Sequence, residues 1–300
     1  SGFKASEEWY PSFQPRFSAR YMLTENSSLK LSYSRMTQFL HLLTNPTIGL
    51  PTDLWVPVTN QVAPEYSNQL ALGYAQTLEK GIQFSVEAYY KDMENLIAYK
   101  EGVSFFGSDE DWQNKITVGR GNSYGMEFLV EKKTGKTTGW IGYTLSKTTR
   151  YFDEVNNGDP FPAKYDRRHD LSVTATHKLS NSWTLSSVFV YATGNTLTPA
   201  LDRYIIDGNI FTEYANRNSY RMPEYHRMDV SATYTKKKPE KRFNSSWSFS
   251  IYNIYNRANP YFIYFDFEGE GNLAEGGIDP KAFQISLFPI IPSITWNFNF

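Results

Sequence analysis

The sequence predicts an all-antiparallel transmembrane β-barrel segment, and three observations carry that prediction. The first is period-two hydrophobicity in one segment after another, the mark of strands with one apolar face and one polar face. The second is the connections, which alternate short and long. Outer-membrane barrels have short turns at one end and long loops at the other. The third is composition. The chain of 300 residues is only 40% hydrophobic, yet 17% aromatic, with 22 Tyr, 21 Phe and 7 Trp. Its apolar area is concentrated in rings, as suits a barrel with a polar lumen, polar loops and aromatic girdles.

The remaining bulk properties narrow the class. No apolar run approaches the ~18 residues of a membrane helix. Cys is absent, so a disulfide framework or thiolate metal site is excluded. A net charge of -1 argues against nucleic acid as a partner. The opening SGFKASEEWY has no basic n-region and no apolar core, so no signal peptide is read there.

The strands follow in order. Residues 16–22 (RFSARYM) place Phe17, Ala19 and Tyr21 opposite Arg16, Ser18 and Arg20. The turn TENSS leads to Leu29, Leu31 and Tyr33, opposite Lys30, Ser32 and Ser34. A long loop over residues 39–65 holds four Pro. Leu70, Leu72 and Tyr74 mark the next strand, and LEKG turns it into Ile82, Phe84, Val86, Ala88 and Tyr90. A second long loop is expected over 102–121. Tyr124, Met126, Phe128 and Val130 then alternate with Gly125, Glu127, Leu129 and Glu131. KTGKT supplies Gly135 for a tight turn, and Ile141, Tyr143 and Leu145 follow. After a third loop (149–167), Leu171, Val173 and Ala175 alternate with Ser172, Thr174 and Thr176. LSNS turns the chain into Trp183, Leu185, Ser187, Phe189 and Tyr191. A fourth loop (194–224) precedes Met228, Val230, Ala232 and Tyr234. KKKPEKRFN links these to Trp247, Phe249 and Ile251, in a strand expected to run on to Phe265. A fifth loop, EGEGNLAEGG, leads to the terminal strand, where Ile294, Trp296, Phe298 and Phe300 oppose Ser293, Thr295, Asn297 and Asn299.

The count is about eleven strands of the length a tilted membrane strand needs. With the short turns periplasmic, the terminal strand runs inward and Ser1 lies outside. Complete bacterial barrels have an even strand number. An odd count therefore reads as the C-terminal half of a larger barrel. One missed strand near the start would instead give a small self-contained barrel, acting as a passive pore or a barrel-rim hydrolase.

The segments PEYSNQLALGY, FSVEAYYKDMENLIAY, GRGNSYGMEFLVEKKTGKTTGWIGYTLSKTTR, FPAKYDRRHDLSV, YHRMDVSATY, FSIYNIYNRANPYFIYF and SLFPIIPSITWNFNF, taken as an ordered set, resemble the C-terminal barrel of Bacteroidota TonB-dependent receptors. They are closer to receptors with a carboxypeptidase-like regulatory domain than to the starch-utilisation type. The resemblance implies that residues 1–300 are the C-terminal half of a barrel of about 22 strands. Signal peptide, TonB-contacting box, plug and first barrel half lie outside this chain. It further implies a place in the outer membrane and active nutrient uptake, driven by the TonB system through those missing parts. A surface lipoprotein over the loops is an implied partner.

The residues that carry chemistry are read as follows. His41, His169, His177 and His226 do not pair at metal-ligand spacing, so no metal site and no cofactor are expected. In YDRRHD, Asp166, His169 and Asp170 have the residue types of an acid-oriented His. The cluster sits where a loop re-enters a strand, and it reads as ion-paired rim rather than as an enzyme. Lys91, Glu127, Glu131, Arg227 and Asp229 fall on the lumen face. Tyr21, Tyr33, Tyr74, Tyr234, Trp247 and Trp296 read as interfacial anchors against lipid or lipopolysaccharide. Trp55, Phe105, Phe106, Trp112, Tyr151, Phe152, Tyr204, Phe211 and Tyr214 lie in or beside the long loops among Asp, Asn and Glu. Such rings suit sugars, peptides or a partner lipoprotein; the competing reading is that they pack the loops together. Trp296, Phe298 and Phe300 are expected to signal to the barrel assembly machinery, which reads a terminal strand by strand addition.

Overall fold

The computed structural model describes residues 2–5, 8–44, 53–103, 111–206, 209–236, 244–266 and 281–299. Phe105, Phe106 and Phe300 lie outside these residues. Eleven strands form the main sheet: β1 (Arg16–Thr24), β2 (Ser27–Gln38), β3 (Glu65–Thr77), β4 (Ile82–Tyr99), β5 (Ile116–Lys132), β6 (Thr137–Tyr151), β7 (His169–Lys178), β8 (Trp183–Ala192), β9 (Tyr225–Lys236), β10 (Asn244–Tyr252) and β11 (Ile291–Asn299). Each pairs antiparallel with the next in sequence, and Phe161–Pro162 adds a short rung to the end of β6. Among the described residues, helix is limited to three short 3₁₀ turns. No helix is long and apolar enough to cross a membrane, a test that does not concern strands.

Register explains why this is a membrane sheet. Directly opposed residues share a face. Tyr21, Leu29, Tyr74, Val86, Phe128, Tyr143, Leu171, Tyr191 and His226 form one continuous row from β1 to β9. Phe84, Val130, Ile141, Val173, Phe189 and Met228 form another. Every apolar set read from the alternation falls on this one face, and protein does not cover it. Phe17, Leu72, Ile294 and Trp296 are exposed, and neither Phe84 nor Val173 is buried. The opposite face carries Glu87 against Glu127, with Gly73 and Thr144 beside them. Trp183 and Tyr234 meet at 5.2 Å, Trp247 and Trp296 stack at 5.9 Å, and Phe298 lies 4.9 Å from Trp296. These rings gather at the short-turn end, where rings with a polar handle sit at a membrane surface.

The sheet stays open. Among the described residues β1 and β11 each pair on one side only and not with each other, so these eleven strands do not close a small barrel. All five long connections leave from one end.

The structure differs from the sequence expectation in strand ends: β5 begins at Ile116, inside the loop expected over 102–121, and β6 runs to Tyr151, inside the loop expected over 149–167. β10 stops at Tyr252 rather than running to Phe265. Asn253 and Asn256 take positive φ there, and a separate hairpin (Pro260–Asp266 with Lys281–Ser286) follows. β4 runs to Tyr99 through a bulge at Asn95, whose φ is 58°. Asn tolerates this left-handed backbone, and its amide donates to the Pro64 carbonyl at 3.0 Å. The bulge reverses the alternation. Beyond it Leu96 and Ala98 point to the polar side, while Ile97 and Tyr99 point outward. All four are buried, because above the membrane band both faces of the sheet are covered by loops.

Candidate ligand-binding site in the loop layer

The buried apolar residues lie mainly in this loop layer rather than along the sheet. On the outer side Leu43, Val56 and Val62 of the first loop pack with Ile97, Tyr99 and Ile116, and Trp112 rests against them. On the inner side Leu96 and Ala98 pack with Phe152, Val155 and Phe161 of the third loop. Between loops the joints are polar. Asp53 of the first loop accepts from Lys164 Nζ at 2.8 Å and from the Tyr165 hydroxyl of the third. Burial, and then the bond to Asp53, holds the Tyr165 phenol well above its ordinary pKa. Asn156 N donates to Glu101 of the second loop at 2.7 Å, while Asn156 Oδ1 accepts from the Arg217 amide of the fourth at 2.7 Å. Arg217 Nη2 reaches the Tyr99 carbonyl at 3.0 Å, and Asn218 Nδ2 the Pro162 carbonyl at 2.9 Å. Burial lowers the Arg217 pKa and nearby Glu101 partly restores it.

The densest joint is Asp166, which is 2% exposed. Its Oδ1 accepts the Thr148 amide at 2.7 Å and its Oδ2 accepts Arg221 Nη2 at 2.7 Å. Arg168 lies 3.6 Å away. Arg221 also donates to the Asp166 and Gly194 carbonyls. His169 does not turn to either acid. Its Nδ1 meets the Tyr143 hydroxyl at 2.8 Å on the apolar face. YDRRHD is thus an ion-paired corner, and an acid-oriented His is not assembled from it. Among the described residues, no cluster of His, Asp and Glu could hold a metal ion.

The loop aromatics are dispersed. Trp55 is 59% exposed on the Leu40–Leu43/Leu54–Pro57 hairpin, and Tyr214 is exposed at the end of the hairpin Ala200–Ile206/Asn209–Tyr214. Trp112 leans on the outer cluster. Tyr151 closes β6, its hydroxyl accepting from Asn122 Nδ2 at 3.2 Å and its ring lying 5.8 Å from Arg120. Phe152 is 1% exposed and serves packing. Tyr204 and Phe211 belong to the two strands of the fourth-loop hairpin, with their side chains outside the described residues. Among the described residues no ring contact joins Trp55, Trp112, Tyr151 and Tyr214 to one another.

A group not singled out from sequence does converge. A cavity of about 230 Å³ sits where the first, third and fourth loops meet the ends of β4 and β6. Arg150, Arg217 and Lys164 line it, with Thr148 and Asn218 beside them and Ala98, Phe161 and Ala163 as an apolar wall. Arg150 stands on the lumen-facing side of β6, in register with Gly121 and Phe161. From sequence it was expected in the third loop (149–167), where it carried no distinguishing signal. Lys164 and Phe161 follow it within the same loop, but Ala98, Arg217 and Asn218 come from distant segments that only the fold brings together.

An open antiparallel meander, apolar outward, polar inward and roofed at one end by packed loops, defines part of an outer-membrane receptor barrel. Residues 3–256 match the family model described as TonB dependent receptor-like, beta-barrel, and the chain belongs to that family. Solved structures that share the fold include three receptors. The ferric-catecholate import receptor Fiu of E. coli K12 is 14% identical, with a TM-score of 0.58 over 95% of this chain and 34% of its own. The ferripyoverdine receptor of Pseudomonas aeruginosa is 13% identical, with a TM-score of 0.58 over 96% and 33%. BauA, the ferric preacinetobactin receptor of Acinetobacter baumannii, is 13% identical, with a TM-score of 0.58 over 99% and 38%. The chain thus spans about a third of the length of the receptors it matches. No curated protein sequence matches it. The matching family and these neighbours are transport receptors of the outer membrane, not enzymes.

Proposed function

We propose that residues 1–300 are the C-terminal half of the barrel of a TonB-dependent uptake receptor. In this reading the loop layer is the outward, nutrient-binding mouth, and the plug and TonB-contacting box lie upstream. The observation that carries the reading is the placing of all five long connections at one end, over a polar lumen wall. The open edges of β1 and β11 support it, since each can take a strand from a first barrel half. The sequence resemblance favours a Bacteroidota receptor with a carboxypeptidase-like regulatory domain. Trp55 and Tyr214 offer exposed rings to a ligand or a surface lipoprotein; Phe105, Phe106, Trp112, Tyr151 and Tyr204 remain candidates beside them.

The test is growth on a panel of sole nutrient sources and under iron limitation. Cells lacking the receptor gene should share one specific defect with cells lacking TonB. A receptor deletion that changes general solute permeability equally with and without TonB would reject active uptake in favour of a passive pore.

Assembly is proposed to depend on the terminal strand. Trp296 and Phe298 sit on β11, the last edge of the sheet, which the barrel assembly machinery can read by strand addition. Removing Phe300 forfeits about 1.5–3 kcal/mol of apolar burial at most, a small loss for so large a sheet. Deleting Phe300 in the full-length receptor is nonetheless expected to lower surface abundance sharply while uptake per inserted molecule stays normal. Unchanged abundance would leave the ring as ordinary lipid-facing surface.

A further inference from the structure

The cavity between the loops has a charge arrangement that packing does not explain. Arg150, Arg217 and Lys164 line it, and among the described residues no Asp or Glu does. Lys164 is paired with Asp53. Arg217 is 8% exposed and one of its donors is engaged by the Tyr99 carbonyl. Arg150 is different. Its Nε is shut off from solvent and has no hydrogen-bond partner, and no hydrogen bond or ion pair holds its guanidinium among the described residues. Glu65 is the acid that acts on Arg150 electrostatically, but its carboxylate is engaged by the buried His41 at 3.1 Å. Arg150 as a whole is only partly exposed, and a cation with no bonded partner in a site half shut off from water gains from an anion that pairs with it.

We propose that this cavity binds an anionic group, a carboxylate or a phosphate-type oxyanion, with Arg150 as its principal partner. The guanidinium offers the forked donor geometry that such groups accept. Arg217 adds a second, less mobile cation, and Thr148 and Asn218 add polar neighbours. At about 230 Å³ the space is smaller than the ~300–1,000 Å³ of typical small-molecule pockets. It therefore suits the acidic end of a larger solute or a small free anion. Phe161 and Ala98 bound the site on their side with apolar surface, which strengthens the electrostatic attraction. The proposal rests on the reading of the loop layer as the ligand-facing mouth, and extends it to ligand chemistry. The same acidic chemistry could come from a solute or from a carboxylate elsewhere in the receptor.

The experiment is calorimetric titration of the purified full-length receptor with citrate and, separately, with inorganic phosphate. Saturable binding of at least one is expected in the wild type. Arg150→Gln should weaken it about tenfold or more, as loss of a charge-assisted pair does. Thr44→Phe, which fills the cavity and removes no charge, should weaken it similarly. Both variants are first checked for heat-resistant mobility in gels, the sign of a folded barrel. No saturable binding by the wild type, or binding untouched by both substitutions, overturns the proposal. Absence of binding with a lowered thermal midpoint for Arg150→Gln would assign the guanidinium to an internal carboxylate instead. Binding is read without uptake, so a receptor that binds anions but shows no TonB-dependent transport would refute the import reading alone.

Discussion

Gly139→Val is expected to remove most assembled receptor from the outer membrane. Gly139 lies near the start of β6 with φ of +153°, a backbone that side chains rarely adopt. It is in register with Lys132 on β5 and Ala175 on β7. A Cβ added there would fall 2.0 Å from the Thr174 carbonyl oxygen and 2.9 Å from the Ala175 Cα. Both are backbone atoms of the neighbouring strand and cannot rotate away. Strained backbone costs about 1–3 kcal/mol, and overpacking about 1–3 kcal/mol more. The combined loss, roughly 2–6 kcal/mol, is a large fraction of a typical folding free energy. Gly142→Ala is the control. Its Cβ would meet only the Trp140 ring, at 3.2 Å, and that ring can shift. Surface abundance and heat-modifiable gel mobility report the outcome. Normal abundance of Gly139→Val would show that β6 and β7 separate at low cost at that end.

The second large effect is expected at Asp166. Asp166→Ala leaves Arg221 without its carboxylate partner and the Thr148 amide without an acceptor. Removing one member of a fully buried pair costs about 3–5 kcal/mol; here Arg221 is partly exposed and keeps its carbonyl acceptors, so the loss should fall toward or below the lower end. The barrel should still assemble, since the sheet does not depend on this corner. The third and fourth loops should loosen instead, and protease added to intact cells should cut there faster. Adding Arg221→Ala to Asp166→Ala should cost less than the sum of the single changes, as expected for residues in one network. Wild-type protease resistance of Asp166→Ala would mean that the apolar clusters alone hold the loops.

The strands were legible because lipid demands a strict alternation, and one residue of slip would turn a whole strand face about. That constraint is local, so Leu171 to Thr176 or Ser293 to Asn299 could be read without knowing any neighbour. The reading weakened where the constraint ends. In NLIAY, residues 95–99, alternation breaks at Asn95, and Leu96 to Tyr99 are buried together, so no pattern announces which side chain faces which way. In the stretch after Tyr252, apolar residues continue but two Asn with positive φ fold the chain back.

The candidate site was less legible for a related reason. Phe152 and Trp55 look alike as loop aromatics, yet one is 1% and the other 59% exposed. The difference is supplied by Val155, Phe161 and Leu96 around Phe152, not by its immediate neighbours in sequence. Arg150 resembled any charged residue of a long loop. Its isolation depends on Glu65 being engaged by His41 and on Lys164 being paired with Asp53. Only the assembled contacts settle such matters.

The joints between loops limit how this receptor can be altered. Asp53, Asn156, Asp166 and Arg217 each tie together segments that leave the sheet at different places. Exchanging a single loop with that of a related receptor would cut several ties while importing none of the matching partners. Specificity in such a layer belongs to the set of loops, and it should transfer between receptors only when the first four are moved as a unit.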